Sequence, residues 1–296
     1  MALDLSGISL AVLGGDEREL IFIPQLIKMG AKVNAVGFDK SSLPREVIYC
    51  DSVEEAVENV DAAIMPMPGT DEEGRIRAIF SAKRLVFTKE AADKLSGKPL
   101  FIGVAKTYIK KLCADYNIKL VEIAELDEFA ILNSIPTAEG AIQIAMQETP
   151  YTIHNSCCFV LGYGRVGTTL ARMLCSLGAR TFVVSKNDVE LARAFEQGCS
   201  IIKLEELAYA IDQADIIFNT IPARVLDGAV LEAVNKEALI IDIATTPAGT
   251  NFELAERLGI KAILAPGLPG KVAPRTAGEI LARILPKLIR QYVDKN

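Results

Sequence analysis

The stretch Cys157-Cys-Phe-Val-Leu-Gly162-Tyr-Gly164-Arg165-Val166-Gly167 decides the fold. An apolar run ends at Leu161, three glycines follow in a GxGxxG pattern, and an amphipathic run over residues 168–177 ends at Gly178. Strand, glycine turn and helix in that order is the context this pattern needs in order to bind a dinucleotide. Its glycines allow a tight turn and close backbone approach, and the helix N-terminus offers free N–H groups and a positive dipole end to a pyrophosphate.

The alternation continues on both sides of this turn. Downstream, β-branched and aliphatic runs at 181–185, 200–202, 216–219, 239–243 and 262–264 are separated by helical patterns and complete one Rossmann succession. Upstream, similar runs at 8–13, 33–37, 62–65, 85–88, 100–104 and 120–123 alternate with patterns such as 19–29, which Gly30 closes. The expected class is α/β with two doubly wound domains, a flavodoxin-like N-terminal domain and an NAD(P)-binding Rossmann domain. A helix expected after Pro136, running to Gln147 before Thr149-Pro150 breaks it, connects them. The domains are drawn as 1–148, 149–278 and a C-terminal helix, 279–296, packing back on the first. That helix rests on an apolar stripe over 277–292, bent at Pro286.

A chain of 296 residues, 50% hydrophobic and 24% charged, is long enough for two cores and too apolar for extensive disorder. A net charge of −6 with interspersed signs excludes a nucleic-acid-binding stripe. No apolar run reaches membrane-spanning length, and Met1-Ala-Leu-Asp-Leu-Ser lacks a signal-peptide layout, so a cytoplasmic location is expected. The six cysteines form no CxxC pair and read as structural thiols, with no metal site. His154, the one histidine, reads as a loop residue and leaves no material for a histidine-based triad.

NAD-preferring domains carry an acid about 20 residues after the glycine turn. Here that place holds Ser185-Lys186-Asn187, groups suited to a 2′-phosphate, so NADP is the expected cofactor. Asp188 keeps NAD open as the alternative. Asn219-Thr220-Ile221-Pro222 and Asp242-Ile-Ala244-Thr-Thr246 end the next two strands on the ligand-binding edge and are expected to flank ribose and nicotinamide.

Several segments together resemble the A-subunit family of bacterial dipicolinate synthases over nearly the whole chain. They are Gly14-Gly-Asp16-Glu-Arg18, Pro66-Met-Pro-Gly69-Thr70, Asn133-Ser134-Ile-Pro-Thr137-Ala-Glu139-Gly, the glycine turn, and Ala265-Pro-Gly-Leu-Pro-Gly-Lys271-Val-Ala-Pro-Arg275-Thr-Ala-Gly278. The last is the most specific, since plain dehydrogenases have no reason to carry it. The resemblance implies NADP-linked oxidation of a lysine-pathway intermediate to pyridine-2,6-dicarboxylate in the mother cell during sporulation, in partnership with a B subunit. The chain departs from the family at Arg165-Val166 and at Ser185-Lys186.

A dicarboxylate calls for cations and neutral donors at two separated points. Arg18 and Arg275, with Gly69, Thr70, Asn133, Ser134 and Thr137 as neutral donors, are the expected substrate contacts. Aromatisation also needs a proton acceptor, and Asp16, Glu139 and Lys271 are the acid/base candidates, which spacing does not separate. Gly14-Gly-Asp16 lacks the third glycine of a nucleotide turn and carries an acid that opposes a phosphate, so it is read as substrate-side. Two other readings stand beside this one: a two-domain 2-hydroxy or 2-amino acid dehydrogenase, and a non-catalytic, NADP-responsive regulatory subunit. Pairing through 137–147 offers a route to a homodimer.

Overall fold

The structure is a computed structural model that describes residues 3–245 and 247–293. Contact density divides the chain into two units, the first running to Phe129 and resuming at Ala273, the second Ala130–Val272.

The first unit holds β1 (Ser9–Leu13), α1 (Glu17–Lys28), β2 (Lys32–Val36), β3 (Ile48–Tyr49), α2 (Val53–Ala56), β4 (Ala62–Ile64), α3 (Lys89–Lys94), β5 (Pro99–Ile102), α4 (Thr107–Asp115), β6 (Lys119–Glu122) and the start of α5 (Asp127–Glu148). Its sheet order is β3-β2-β1-β4-β5-β6, all pairs parallel. The core of that order is flavodoxin-like winding, and the two-residue β3 extends it at one edge. The run at 85–88 is no strand: Ile76 N–H donates to Leu85 O, and Phe87 N–H to Gly74 O. β4 and β5 already pair side by side, so this apolar run pairs with its own loop instead.

The second unit continues with β7 (Cys157–Leu161), α6 (Arg165–Ser176), β8 (Arg180–Ser185), α7 (Asp188–Glu196), β9 (Ser200–Lys203), α8 (Leu207–Ala210), β10 (Ile216–Asn219), α9 (Gly228–Ala233), β11 (Leu239–Asp242), α10 (Phe252–Leu258), β12 (Lys261–Leu264) and α11 (Leu268–Val272). Its order, β12-β11-β10-β7-β8-β9, is parallel throughout and is that of a dinucleotide-binding sheet. The central strands are buried along their whole length because helices cover both faces, which explains their unbroken aliphatic runs.

The boundary inside α5 differs from the one drawn at 148. Ala138, Ala141, Ile142 and Ala145 pack into the second unit's core, whereas Phe129 belongs to the first unit. Pro136 lies within the helix rather than ahead of it. The hydroxyls of Ser134 and Thr137 donate to the carbonyls of Ile131 and Asn133 in the turns around it, at 2.6 and 2.8 Å.

The last helix, α12 (Pro274–Val293), starts earlier than drawn and belongs to the first unit; residues 294–296 lie outside the described ones. Its stripe of Ile280, Leu281, Ile284, Leu285, Leu288 and Ile289 is buried, each worth about 1.5–3 kcal/mol of gross transfer energy. Close approach to α1 depends on Gly278, where a Cβ would meet Ile21 Cβ at 2.6 Å. Among the described residues, no helix is long and apolar enough to cross a membrane, and no group of His, Cys, Asp and Glu could hold a metal ion. Burial pushes the thiols of Cys158 and Cys199 up to about 12 and those of Cys50 and Cys113 up to about 11, as suits packing groups.

Candidate functional site

β7 lies between β10 and β8, where the strand order reverses, and its carboxyl end delivers the glycine turn. Gly162 has φ +92°, a left-handed conformation, and a Cβ there would lie 2.6 Å from Thr220 Oγ1. A Cβ on Gly167 would lie 2.1 Å from the Gly162 carbonyl, so that glycine lets helix meet strand. Gly164 is different: φ is −75° and nothing lies within 4 Å of where its Cβ would be. As N-cap of α6 it has no side chain, so nothing of its own stands between a pyrophosphate and the first turn of α6, which begins at Arg165 and Val166.

At the end of β8, Ser185 is buried, with its Oγ donating to Glu190 Oε2 at 2.5 Å and accepting from Asn187 N at 3.0 Å. Asn187 caps α7 through Val189 N–H at 2.9 Å. Two of the three expected phosphate ligands are thus engaged locally, and Lys186 is the exposed cation of this strand end. Asp188 sits on α7, 3.4 Å from Lys203 Nζ. Glu190, five residues past Ser185, had no motif to mark it.

Asn219 and Asp242 are fully buried, so they position loops and do not line the edge as expected. Asn219 Nδ2 donates to Ile221 O and to Asp242 Oδ2, both at 3.1 Å, while Asp242 also accepts from Ala244 N at 3.1 Å and Thr250 Oγ1 at 2.6 Å. This network ties the loop of Thr220, Ile221 and exposed Pro222 to that of Ala244, itself buried. Thr220 Oγ1 is used on Leu161 O at 2.8 Å. Thr246, expected on the second loop, lies outside the described residues.

On α5, Ser134 is buried and its Oγ lies 2.6 Å from Thr169 Oγ1 on α6, so it braces the helix pair. Thr137 is similarly engaged, on Asn133 O, while the Asn133 side chain stays half-buried. Glu139 lines a groove with Met173, Ser176 and Leu177, at the far end of α6 from the glycine turn. Helix rise puts that end about 15 Å from the turn, at the opposite end of α6 from the ligand-binding edge of the sheet, so Glu139 does not face that edge. The family-like segment around Lys271 is helical, as α11. Gly140 receives α11, with Leu268 Cβ and Val272 Cγ2 3.0–3.1 Å from where its Cβ would be, and Lys271 stays exposed. Arg275 lies on α12, exposed and paired with Glu279 at 3.0 Å. His154 is an exposed loop residue, with Nδ1 3.3 Å from Leu177 O.

In the first unit, β1 lies between β2 and β4, the equivalent switch point. The loop after β4 folds over its glycine turn: Ile79 N–H donates to Gly15 O, and a Cβ on Gly14 would meet Arg77 O at 2.7 Å. The chain itself thus covers the place where a pyrophosphate would lie. Asp16 and Arg18, expected as base and carboxylate receptor, are each other's partners. Arg18 Nε and Nη2 each donate to Asp16 at 2.8 Å, and Asp16 also caps α1. Burial pushes the Asp16 carboxyl up, but Arg18 outweighs it and holds it below the usual range, a poor proton acceptor. Gly69 and Thr70 are buried too, with Gly69 N–H donating to Pro66 O and Thr70 Oγ1 to Asp71 O. Their donors are used inside the loop.

Glu19, which no motif of the sequence marks, completes a capping box with Asp16 at the start of α1, is 1% exposed and accepts Asp16 N–H at 2.6 Å. Burial pushes its carboxyl up to about 7. Because this acid holds its proton more tightly folded than unfolded, it costs stability as pH rises from about 4.5 to 7 and costs a constant amount above. Glu19→Gln is therefore expected to stabilise the protein at pH 8 by about 2 kcal/mol relative to its effect at pH 5. Urea melts at the two pH values check this, and equal shifts at both would refute it.

Comparison with known proteins matches residues 9–124 to the family described as the N-terminal domain of the dipicolinate synthase A subunit. Residues 157–246 match that described as NADP oxidoreductase coenzyme F420-dependent. The chain is 40% identical over 289 residues to the dipicolinate synthase A subunit of Bacillus subtilis (strain 168), covering 97% of both. The crystal structure of the corresponding dipicolinate synthase polypeptide from Bacillus subtilis is similar with TM-score 0.94 and 39% identity over 100% of each chain. That of the A subunit from Bacillus halodurans gives 0.93 and 40%, covering 96% of this chain and 98% of that one.

Proposed function

The chain belongs to the A-subunit family of dipicolinate synthases, and on that premise we propose that it is an oxidoreductase forming pyridine-2,6-dicarboxylate from a dihydro or 4-hydroxytetrahydro precursor with NADP. Its proposed partner is a B subunit, and its proposed setting the mother-cell cytoplasm of a sporulating bacterium. A homodimer through the outer face of α5, where Met146 is exposed, belongs to the same reading.

The observation that carries the proposal is the clear space at Gly164 in front of an uncapped helix N-terminus. The turn at Gly162, Gly164 and Gly167 would hold the pyrophosphate through the first-turn N–H groups of α6. Lys186 would meet the 2′-phosphate, and Thr220, Ile221 and Pro222 would border the nucleotide. The bound nicotinamide supplies a hydride acceptor. The ring must also lose a proton, and a hydroxylated precursor a water. Of the three acid/base candidates, Lys271 is the one with no ion pair among the described residues and not at the far end of α6, so we assign its ammonium the acid role, protonating the hydroxyl that leaves a hydroxylated precursor as water, while the ring proton passes to solvent. Asn133 and Arg275 remain as carboxylate donors, Arg275 by exchanging its exposed contact with Glu279.

Calorimetric titration with NADPH and NADH tests the cofactor, repeated with Lys186→Glu. NADPH is expected to bind more tightly, and Lys186→Glu to weaken it by about 10- to 100-fold, with NADH little affected. Equal binding of both nucleotides by the wild type would overturn the NADP assignment, and absence of both would overturn the site.

A further inference from the structure

We propose that Arg77 is the residue of the first unit that receives a carboxylate of the substrate, an inference that rests on the dicarboxylate reading above. The argument is one of elimination at the β1/β4 switch point, where open α/β sheets take their ligands. Arg18 is buried and forked onto Asp16. Gly69 and Thr70 are buried and their donors used. Arg77 sits in the same loop cluster, its backbone N–H reaching Gly69 O at 3.5 Å, on the segment that covers Gly14 and Gly15.

Its side chain is 54% exposed, with Nε 3.9 Å from Asp16 Oδ2 and no hydrogen bond on the guanidinium among the described residues. That contact is too long for a hydrogen bond. It aims the group without using its donors, because Asp16 is already satisfied by Arg18. The Asp16 charge therefore orients Arg77 while the Arg18 charge offsets Asp16. Glu19 behind them, with its carboxyl pushed up to about 7 by burial, is largely uncharged below neutral pH. The four side chains then carry a net positive charge, and the open part of it is a planar fork suited to a carboxylate. The covering loop has a purpose on this account: it closes the place of a second pyrophosphate and presents a cation there instead.

The test is calorimetric titration of the NADPH-loaded chain with pyridine-2,6-dicarboxylate, for wild type, Arg77→Met and Arg77→Lys. Methionine keeps the apolar stem, so folding and NADPH affinity are expected to hold. The dicarboxylate Kd is expected to rise about 10- to 100-fold in Arg77→Met and to recover in part in Arg77→Lys, which restores charge without the fork. Unchanged dicarboxylate affinity in Arg77→Met would overturn the assignment of Arg77 and leave the dicarboxylate reading standing. No binding by the wild type, with NADPH still bound, would overturn the dicarboxylate reading and this inference with it.

Discussion

Replacing Gly164 by aspartate is expected to abolish nicotinamide-nucleotide binding, with Kd raised about 100-fold or more, equal to about 2.7 kcal/mol, while the thermal midpoint holds or rises. Aspartate is a preferred N-cap, and Gly164 has an extended conformation, φ −75° and ψ −158°, that a side chain adopts without strain. Nothing lies within 4 Å of the added Cβ. The new carboxylate would satisfy the first turn of α6 and so occupy, with its own negative charge, the donors a pyrophosphate needs. Stability and binding thus move in opposite directions, which simple misfolding would not produce. Retained affinity in a calorimetric titration would mean that the nucleotide does not use this helix end. Gly167 would not serve for the test, since a Cβ 2.1 Å from the Gly162 carbonyl damages the fold first.

The second large effect is on stability. Asp242→Ala is expected to cost about 3–5 kcal/mol, because it removes a fully buried acceptor from three donors at once. Asn219 keeps its bond to Ile221 O, but Thr250 Oγ1 and Ala244 N–H lose their acceptor where water does not reach. A cavity the size of a carboxylate adds to this. Urea unfolding measures the change, and a loss below about 1 kcal/mol would show that the network relaxes onto other partners. The same substitution unties the loops carrying Thr220 and Ala244, so weaker nucleotide binding is expected alongside.

Much of the fold was legible because its signals are local. Strand and helix periods, glycine turns and caps involve neighbours along the chain, and eleven of the twelve described strands lie where aliphatic runs predict them. The exceptions have physical causes. β3 has two residues and no period to detect. The run at 85–88 reads as a strand, but its backbone pairs within its own loop. Pro136 reads as a helix start because a proline removes one N–H, yet the flanking hydroxyls bond back to the backbone and the helix continues.

The candidate site divides along the same line. By itself the sequence determined two doubly wound βα series, the glycine turn with its helix, and the family. Only the tertiary structure decided which polar groups remain open. Asp16 and Arg18 bind each other, Asn219 and Asp242 lie beneath the loops they were expected to line, and Glu139 faces the far end of α6. Arg77, which no motif marks, is left exposed in the loop after β4. The reason is that residue type sets what a side chain is able to bond, whereas burial and partner choice come from segments far apart in the chain. The loop after β4 settling on the turn after β1 is one such meeting, and β10 delivering Asn219 to β11 is another.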